Sequence, residues 1–233
     1  MKKKINIKYI LQYKLAYILS LILLVAGFYI NIRITDASID IFYEAIFTDL
    51  FIMGLIIPIY MIIVFQVLDV KNSFQVLLRF KNKKMWWRLK RNFILKNGFI
   101  YSVIIHIPLL IFISMKNSFE AIGYNIIYSI LIILLNTVFL SCLGIASQIV
   151  LLKSNSDIIA ICSPIFLIYL PTIIKYIFKI DFIPSISFFM RVNFNNPIEA
   201  LNCILLIVNI LIIYYILSLF GEKYLKKIDI IWR

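Results

Sequence analysis

Residues 69–97 read DVKNSFQVLLRFKNKKMWWRLKRNFILKN and carry nine of the 24 Lys and Arg residues in the chain. The cations are mixed with large apolar and aromatic side chains, and long apolar runs stand on both sides. Such a mixture is typical of a cytoplasmic surface that lies against anionic lipid or against another protein. The segment therefore predicts a membrane protein with one substantial cytoplasmic feature.

The remainder of the chain is mostly apolar. Of its 233 residues, 63% are hydrophobic, which is well above the roughly 45–50% of soluble domains. A membrane crossing needs about 20 apolar residues, and the runs of sufficient length are 15–32, 50–68, 98–115, 126–152, 158–178 and 201–220. These runs predict an all-α membrane protein, with six transmembrane helices in a single polytopic domain over residues 1–233.

Positive charge is distributed unequally between the two sides of these crossings. The N-terminal tail, residues 69–97, Lys153 and the C-terminal tail hold 19 cations, whereas the opposite loops hold five. Because cytoplasmic loops carry the excess of Lys and Arg, both termini are predicted to be cytoplasmic. The net charge of +13 comes without a base-reading motif, so anionic lipid, and not nucleic acid, is the predicted partner of these cations.

Residues 69–97 predict two short helices joined by an elbow near 81–84. Asn82 would fall on the apolar face if the segment formed one continuous helix, so the pattern favours a break at this point. Met85, Leu89 and Phe93 then share one face of the second helix. The elbow is interpreted as a docking site for a cytoplasmic protein, with a positively charged membrane anchor as the alternative.

Two other segments carry structural predictions of their own. Residues 1–14 interleave lysines with apolar and aromatic side chains, which predicts an interfacial helix at the membrane surface. Residues 179–200 are too apolar for an ordinary extracytoplasmic loop and too short to span the membrane. We therefore predict a re-entrant-like segment there, with a loop folded onto neighbouring helices as the alternative.

Sequence patterns that would mark an enzyme are missing. The chain has no GxxxxGK[ST] phosphate loop, no HExxH motif and a single histidine, His106. Its cysteines, Cys142, Cys162 and Cys203, have no ligand-like spacing. We therefore predict no catalytic residue, no metal and no cofactor held by this chain. His106, in the third crossing, is interpreted as a hydrogen-bonded packing residue, with a proton relay as the alternative.

Neutral polar residues occur at helical spacing in two crossings. Those of the fourth and sixth crossings are Asn136, Thr137, Ser141, Ser147, Gln148, Asn202 and Asn209. Such groups more often join helices than bind substrate, although the sequence leaves open whether they or His106 contact a cargo. Prolines inside the crossings are tolerated because neighbouring groups can bind the backbone carbonyls that they leave free.

Residues 77–87, LLRFKNKKMWW, are the most local element of a family resemblance. Together with the six crossings, the lead-in helix and the proline-broken segment before the last crossing, they resemble the permeases of ABC-2-type transporters. The most similar pattern is that of small six-helix bacterial subunits associated with bacteriocin or lantibiotic immunity and peptide export. The resemblance covers the whole chain as architecture and implies a multi-pass protein of the bacterial cytoplasmic membrane.

The resemblance also implies export that is energised by another protein. A cytoplasmic ATP-binding subunit, which would hold ATP and Mg, docks on residues 69–97 as on a coupling helix. A second permease completes a homo- or heterodimer, and the cargo is hydrophobic or amphipathic, such as a peptide. The implied docking residues are Arg79, Phe80, Lys83, Lys84, Trp86 and Trp87, and the implied flex points along the translocation path are Pro58, Pro164 and Pro171.

Two other classes of protein stay open at this stage. A stand-alone membrane immunity or scaffold protein would need no ATPase, and its activity would not depend on the elbow. A substrate-capture subunit of a vitamin uptake transporter is similarly helical. That family, however, implies an Ala-rich docking motif in the first helix, where this chain has only Ala16 and Ala26.

Overall fold

A computed structural model describes residues 13–33, 46–67, 83–116, 119–154, 156–179 and 197–227. Within these ranges the chain is helical and forms no strand. The helices are α1 (Lys14–Arg33), α2 (an α-helical turn Asp49–Phe51, a π-helical turn Ile52–Ile56 and an α-helix Ile57–Val67), α3 (Lys83–Lys116), α4 (Phe119–Ser154), α5 (Asp157–Phe178) and α6 (Pro197–Lys227). Each predicted apolar run overlaps one of them, so the all-α prediction is confirmed.

Three helical segments are long and apolar enough to cross a membrane: Ile127–Ser154, Asp157–Phe178 and Leu201–Leu225. Two shorter apolar helices cover Lys14–Gly27 and Asp49–Phe65. The part of the chain that the structure describes is thus that of a membrane protein. The number of six crossings stays a prediction.

Local sequence signals explain where α2 and α5 begin. The Thr48 hydroxyl accepts a hydrogen bond of 3.3 Å from the backbone N–H three residues later, and the Ser156 hydroxyl does the same at 3.5 Å. Asp157 adds an acidic side chain to the first turn of α5, where it complements the helix dipole. α5 ends at Lys179, whose φ of 53° lies in the left-handed region that closes many helices.

α4 is the central helix of the bundle. It packs against α3, α5 and α6, while α1 packs mainly on α3. Gly98 and Gly144 allow α3 and α4 to approach closely, because an added Cβ at either position would lie 2.7 Å from a side-chain atom of the facing helix. This arrangement brings the C-terminal parts of α4 and α6 against the first turns of α3.

Three predicted segments lie mainly outside the described residues. Of the interfacial helix 1–14, only the last two residues are described. The elbow near 81–84 is described from Lys83 onward, where α3 begins and continues into the predicted third crossing as one helix. Of the re-entrant-like segment 179–200, the structure describes Lys179 and the first turn of α6. These predictions stay open.

Candidate functional site

The first turns of α3, residues 83–97, precede the predicted crossing and are called the stem. Trp87 of the stem is 2% exposed, and its indole Nε1–H donates to the Ser218 carbonyl of α6 at 2.9 Å. The ring fits against Gly221, where an added Cβ would lie only 2.0 Å from Trp87 Cζ2. The stem is therefore attached to α6 by a contact that requires a glycine at position 221.

Two cations of the stem add to this attachment. Arg91 Nη1 donates to the Ser218 hydroxyl at 2.8 Å, so Ser218 receives hydrogen bonds on both its backbone and its side chain. Lys84 Nζ lies 3.1 Å from Glu222 Oε1, and half of the Lys84 side chain is exposed. Because exposed ion pairs contribute little to stability, the Trp87 and Arg91 contacts carry most of the attachment.

Lys90 attaches the stem to α4. Its side chain is 7% exposed, its Nζ donates to Gln148 Oε1 at 3.1 Å, and it lies 4.3 Å from the centre of the Trp86 ring. Burial lowers the pKa of Lys90 from 10.5 to about 8, because removal from water disfavours the charged amine. The amine stays mostly protonated at neutral pH, where the Trp86 ring face stabilises it.

The opposite side of the stem is exposed and mixes apolar with charged side chains. Met85, Leu89 and Phe93 are 56%, 37% and 38% exposed, and Arg88 and Lys96 are exposed between and beyond them. We call these five residues the outer stripe. The predicted helical face through Met85, Leu89 and Phe93 therefore exists, and it is turned away from the bundle.

The predicted docking residues fall in three different environments. Arg79 and Phe80 lie outside the described residues. Lys83 is half-buried and Lys84 is exposed at the start of α3. Trp86 and Trp87 are buried.

The resemblance implies that Trp86 and Trp87 contact a partner protein; in the structure both rings are buried within the chain, at 4% and 2% exposed. Their burial follows from the stem lying flat against the ends of α4 and α6, where Lys90 and Gly221 occupy the ring faces and edges. A direct contact of either ring with a partner would require the stem to leave the bundle. The surface that the stem presents is the outer stripe.

Pro58 lies two residues after the end of the π-helical turn of α2. In that turn the N–H of Ile57 bonds to the carbonyl of Ile52, five residues earlier. At the same spacing the Met53 carbonyl would accept from residue 58, but a proline has no N–H. The Met53 carbonyl is thereby left to the Tyr169 hydroxyl of α5, which donates to it. Pro58 thus produces a hydrogen bond between α2 and α5.

The Tyr101 hydroxyl of α3 donates to the Ile56 carbonyl of the same turn at 2.7 Å. Tyr176, one heptad after Tyr169, donates to Asp49 Oδ2 at 3.0 Å. Three tyrosines therefore hold the first half of α2 between α3 and α5.

Pro164 of α5 produces a second connection of this kind. A proline leaves the carbonyl four residues earlier without its helical donor, and here that carbonyl belongs to Ala160. The Ser147 hydroxyl of α4 donates to it at 2.8 Å. Pro164 itself is buried and Pro171 is half-buried. Pro58 and Pro164 are therefore points of attachment between helices, and the flexing that the resemblance implies stays a prediction.

His106 joins α3 to α4 inside the bundle. Its Nδ1 lies 2.7 Å from the Ser102 carbonyl, which can only accept, so Nδ1 carries the hydrogen. Nε2 then accepts from the Asn136 amide at 3.2 Å, and the ring stacks on Phe47 with 5.4 Å between ring centres. This geometry agrees with the interpretation of His106 as a hydrogen-bonded packing residue.

An apolar cavity of about 260 Å³ lies between α4, α5 and α6. Its lining includes Leu143, Ala146, Pro164, Leu167, Ile210 and Leu217. Two of the three helices that border this cavity, α4 and α6, also hold the stem at the start of α3. The cavity suits an acyl chain or the apolar side chains of a larger molecule.

Several residues of this arrangement are absent from the sequence-based predictions. Ser218 and Gly221 form the notch for Trp87, and Tyr101 and Tyr169 bind the π-helical turn. Small residues three apart at the end of an apolar run are the signal that could have indicated the notch, because they let another group approach closely.

Among the described residues, no group of three or more His, Cys, Asp or Glu could hold a metal ion. Comparison with protein-family models, curated proteins and solved structures found no match. The function therefore has to be argued from the stem, its attachments and the apolar cavity.

Proposed function

We propose that this chain is the membrane-spanning subunit of a bacterial transporter that exports hydrophobic or amphipathic cargo, such as a peptide, and that a separate ATP-binding protein drives it. The observation that carries the proposal is the double attachment of the stem, through Trp87 to α6 and through Lys90 to α4. A displacement of the stem is passed to both helices, and these helices border the apolar cavity.

The energy source of this transporter lies in another protein, because the chain has no phosphate-binding loop. The outer stripe supplies the docking surface for that protein. Phe93, Met85 and Arg88 belong to the residue types that are enriched where proteins bind each other. The resemblance to ABC-2-type permeases assigns the same segment to the coupling helix, which supports this role.

The apolar cavity supports the choice of cargo. Its lining residues carry no charge. The apolar groups of a cargo molecule that moved from the lipid into the cavity would therefore contact apolar side chains in place of lipid. An ion or a sugar would find no matching groups among those residues. Cargo of mixed character, with one apolar side, fits this surface best.

Purification of the tagged full chain in mild detergent tests the proposal. We expect mass spectrometry to find an ATP-binding protein near equal stoichiometry, and the complex to hydrolyse ATP. The double variant Arg88→Glu with Phe93→Ala is expected to lose this protein while the chain still inserts and folds. Phe99→Ala, an exposed aromatic residue further along the same helix, is the matched control and is expected to retain it. An intact, folded chain that carries no ATP-binding protein would overturn the proposal.

A stand-alone membrane protein, with an immunity or scaffold role, is the second candidate. The burial of Trp86 and Trp87 favours it, because the aromatic residues expected at a docking site serve the fold instead. In that case the outer stripe lies on anionic lipid. The same stripe variant would then change binding to vesicles that contain anionic lipid, and no ATPase would accompany the chain.

A further inference from the structure

The amine of Lys90 is a buried cation without a counter-charge. Its side chain is 7% exposed, and no Asp or Glu among the described residues forms an ion pair with it. The Lys90 amine donates to an uncharged acceptor, Gln148 Oε1, at 3.1 Å, and the Trp86 ring face lies 4.3 Å away. A buried charge that lacks an opposite charge is costly. An anion bound to Lys90 would therefore offset part of this cost.

Hydrogen-bond donors outnumber acceptors around this amine. An ammonium group has three N–H donors and a carboxamide has two. Lys90 directs one donor to Gln148 Oε1, while Gln148 Nε2 is buried and has no hydrogen-bond partner among the described residues. Because Oε1 and Nε2 belong to the same carboxamide, the unused donors of the two side chains are neighbours. Neighbouring donors of which one is charged are complementary to an oxyanion.

The position of the stem indicates which oxyanion meets this pair of side chains. Lys90 lies eight residues before the predicted crossing 98–115, or about 12 Å along the helix axis. At that distance from the apolar run the chain lies near the lipid headgroups, where tryptophans such as Trp86 are also enriched. The anionic group that phospholipid headgroups share is the phosphate.

We propose that Lys90 and Gln148 form a binding site for the phosphate group of a membrane phospholipid. The Lys90 amine supplies the positive charge, and both side chains supply N–H donors to the phosphate oxygens. Since Lys90 belongs to α3 and Gln148 to α4, a bound phosphate strengthens the attachment of the stem to α4. The site differs from the general attraction of exposed cations to anionic lipid, because it uses one buried cation and one buried amide.

Thermal unfolding of the tagged full chain in mild detergent, with and without added lipid, tests this site. Phosphatidylglycerol is expected to raise the unfolding midpoint. A glycolipid that has the same acyl chains and no phosphate is expected to leave it unchanged, as is inorganic phosphate. An equal rise with the glycolipid would overturn the proposal, and an equal rise with inorganic phosphate would overturn the assignment to a lipid. No ATP-binding protein takes part, so this result is independent of the function proposed above.

Lys90→Met tests the charge. It is expected to weaken the binding of phosphatidylglycerol at least about tenfold, because hydrogen bonds to a charged group are lost. The readout is the lipid concentration that gives half of the midpoint shift. Lys96→Met removes an exposed cation of the same helix and is the matched control, which is expected to keep the wild-type value. Equal weakening in the two variants would show general attraction to the lipid and would contradict a built site.

Gln148→Glu keeps the test decisive if Lys90→Met does not fold. A carboxylate at this position pairs with Lys90 within the chain and repels a phosphate. The variant is therefore expected to have a higher unfolding midpoint than the wild type without lipid, and to lose the response to phosphatidylglycerol. A response equal to that of the wild type would overturn the proposal.

Discussion

α4 and α6 are both long and apolar enough to cross a membrane, yet they occupy opposite places in the bundle. In an apolar window of 18 residues within α4, 67% of the residues are buried, whereas in the corresponding window of α6 only 17% are. Asn136 and Ser147 of α4 face neighbouring helices, and Asn209 of α6 faces outward. The apolar content of a helix thus directs the helix to the membrane. The polar side chains of the helix indicate which of its faces packs against another helix.

Removal of Trp87 breaks the contact between α3 and α6 and is expected to have the largest effect. The Trp87→Ala variant should lose about 3–5 kcal/mol of unfolding free energy, because a buried aromatic ring leaves a cavity. The measurement is unfolding in mixed detergent micelles. Met85→Ala, at an exposed position on the same helix, is expected to change stability by less than about 0.5 kcal/mol. Equal losses in the two variants would contradict the role of Trp87.

Removal of Lys90 is expected to change how stability depends on pH. Burial lowers its pKa from 10.5 to about 8, so the folded protein releases this proton at a lower pH than the unfolded chain. Between these two values the unfolded chain binds more protons, and the contribution of Lys90 to stability therefore rises with pH. The penalty for burying the charge is fully present below this window and amounts to about 3 kcal/mol.

The wild-type chain should therefore gain stability relative to Lys90→Met as the pH rises from 8 towards 10.5. Unfolding free energies measured across this window give the difference. Lys96→Met, which removes an exposed cation of the same helix, is expected to follow the wild-type curve. Parallel curves for wild type and Lys90→Met would show that Lys90 is not buried as described.

Replacement of Asn136 in α4 or Asn209 in α6 by leucine is expected to change the unfolding free energy by a smaller amount. Asn136→Leu leaves His106 Nε2 without the donor that it has at 3.2 Å, which is expected to cost about 1–3 kcal/mol of unfolding free energy. Asn209→Leu changes an exposed side chain and should change stability by less than about 0.5 kcal/mol. The reverse order would place α6, and not α4, at the centre of the bundle.

Tyr169→Phe removes the hydroxyl that donates to the Met53 carbonyl. The expected loss is about 1 kcal/mol, the usual net value of a single hydrogen bond. Tyr215→Phe changes an exposed tyrosine of α6 and should have no measurable effect. A thermal shift assay on both variants in the same detergent makes the comparison.

Much of the helical framework could be predicted from the sequence, because long apolar runs have few alternatives. The predicted run 158–178 and α5, Asp157–Phe178, differ by one residue, since Ser156 and Asp157 mark the start. The polar spacing in α4 indicated helix contacts in part: Asn136, Ser147 and Gln148 each bond to another helix, whereas Thr137 and Ser141 donate to carbonyls of α4 itself. The same interpretation of Asn202 and Asn209 does not hold within one copy, where both are exposed.

The place of Trp87 could not be predicted. A tryptophan beside lysines at the end of an apolar run has the same local pattern whether it lies at the lipid headgroups or inside the protein. The difference depends on Ser218, which is 131 residues away along the chain. Periodicity reports only which residues share a face, so it leaves open what covers that face.

The π-helical turn of α2 changes how its sequence has to be aligned. Such a turn takes in one residue more than an α-helical turn, which rotates all that follows by about 100° relative to an uninterrupted helix. Asp49 therefore points to Tyr176 of α5, while Tyr60 points to α3, with 5.5 Å between its ring centre and that of Tyr101. A relative with an uninterrupted second helix would show this difference as a single-residue gap between positions 52 and 56.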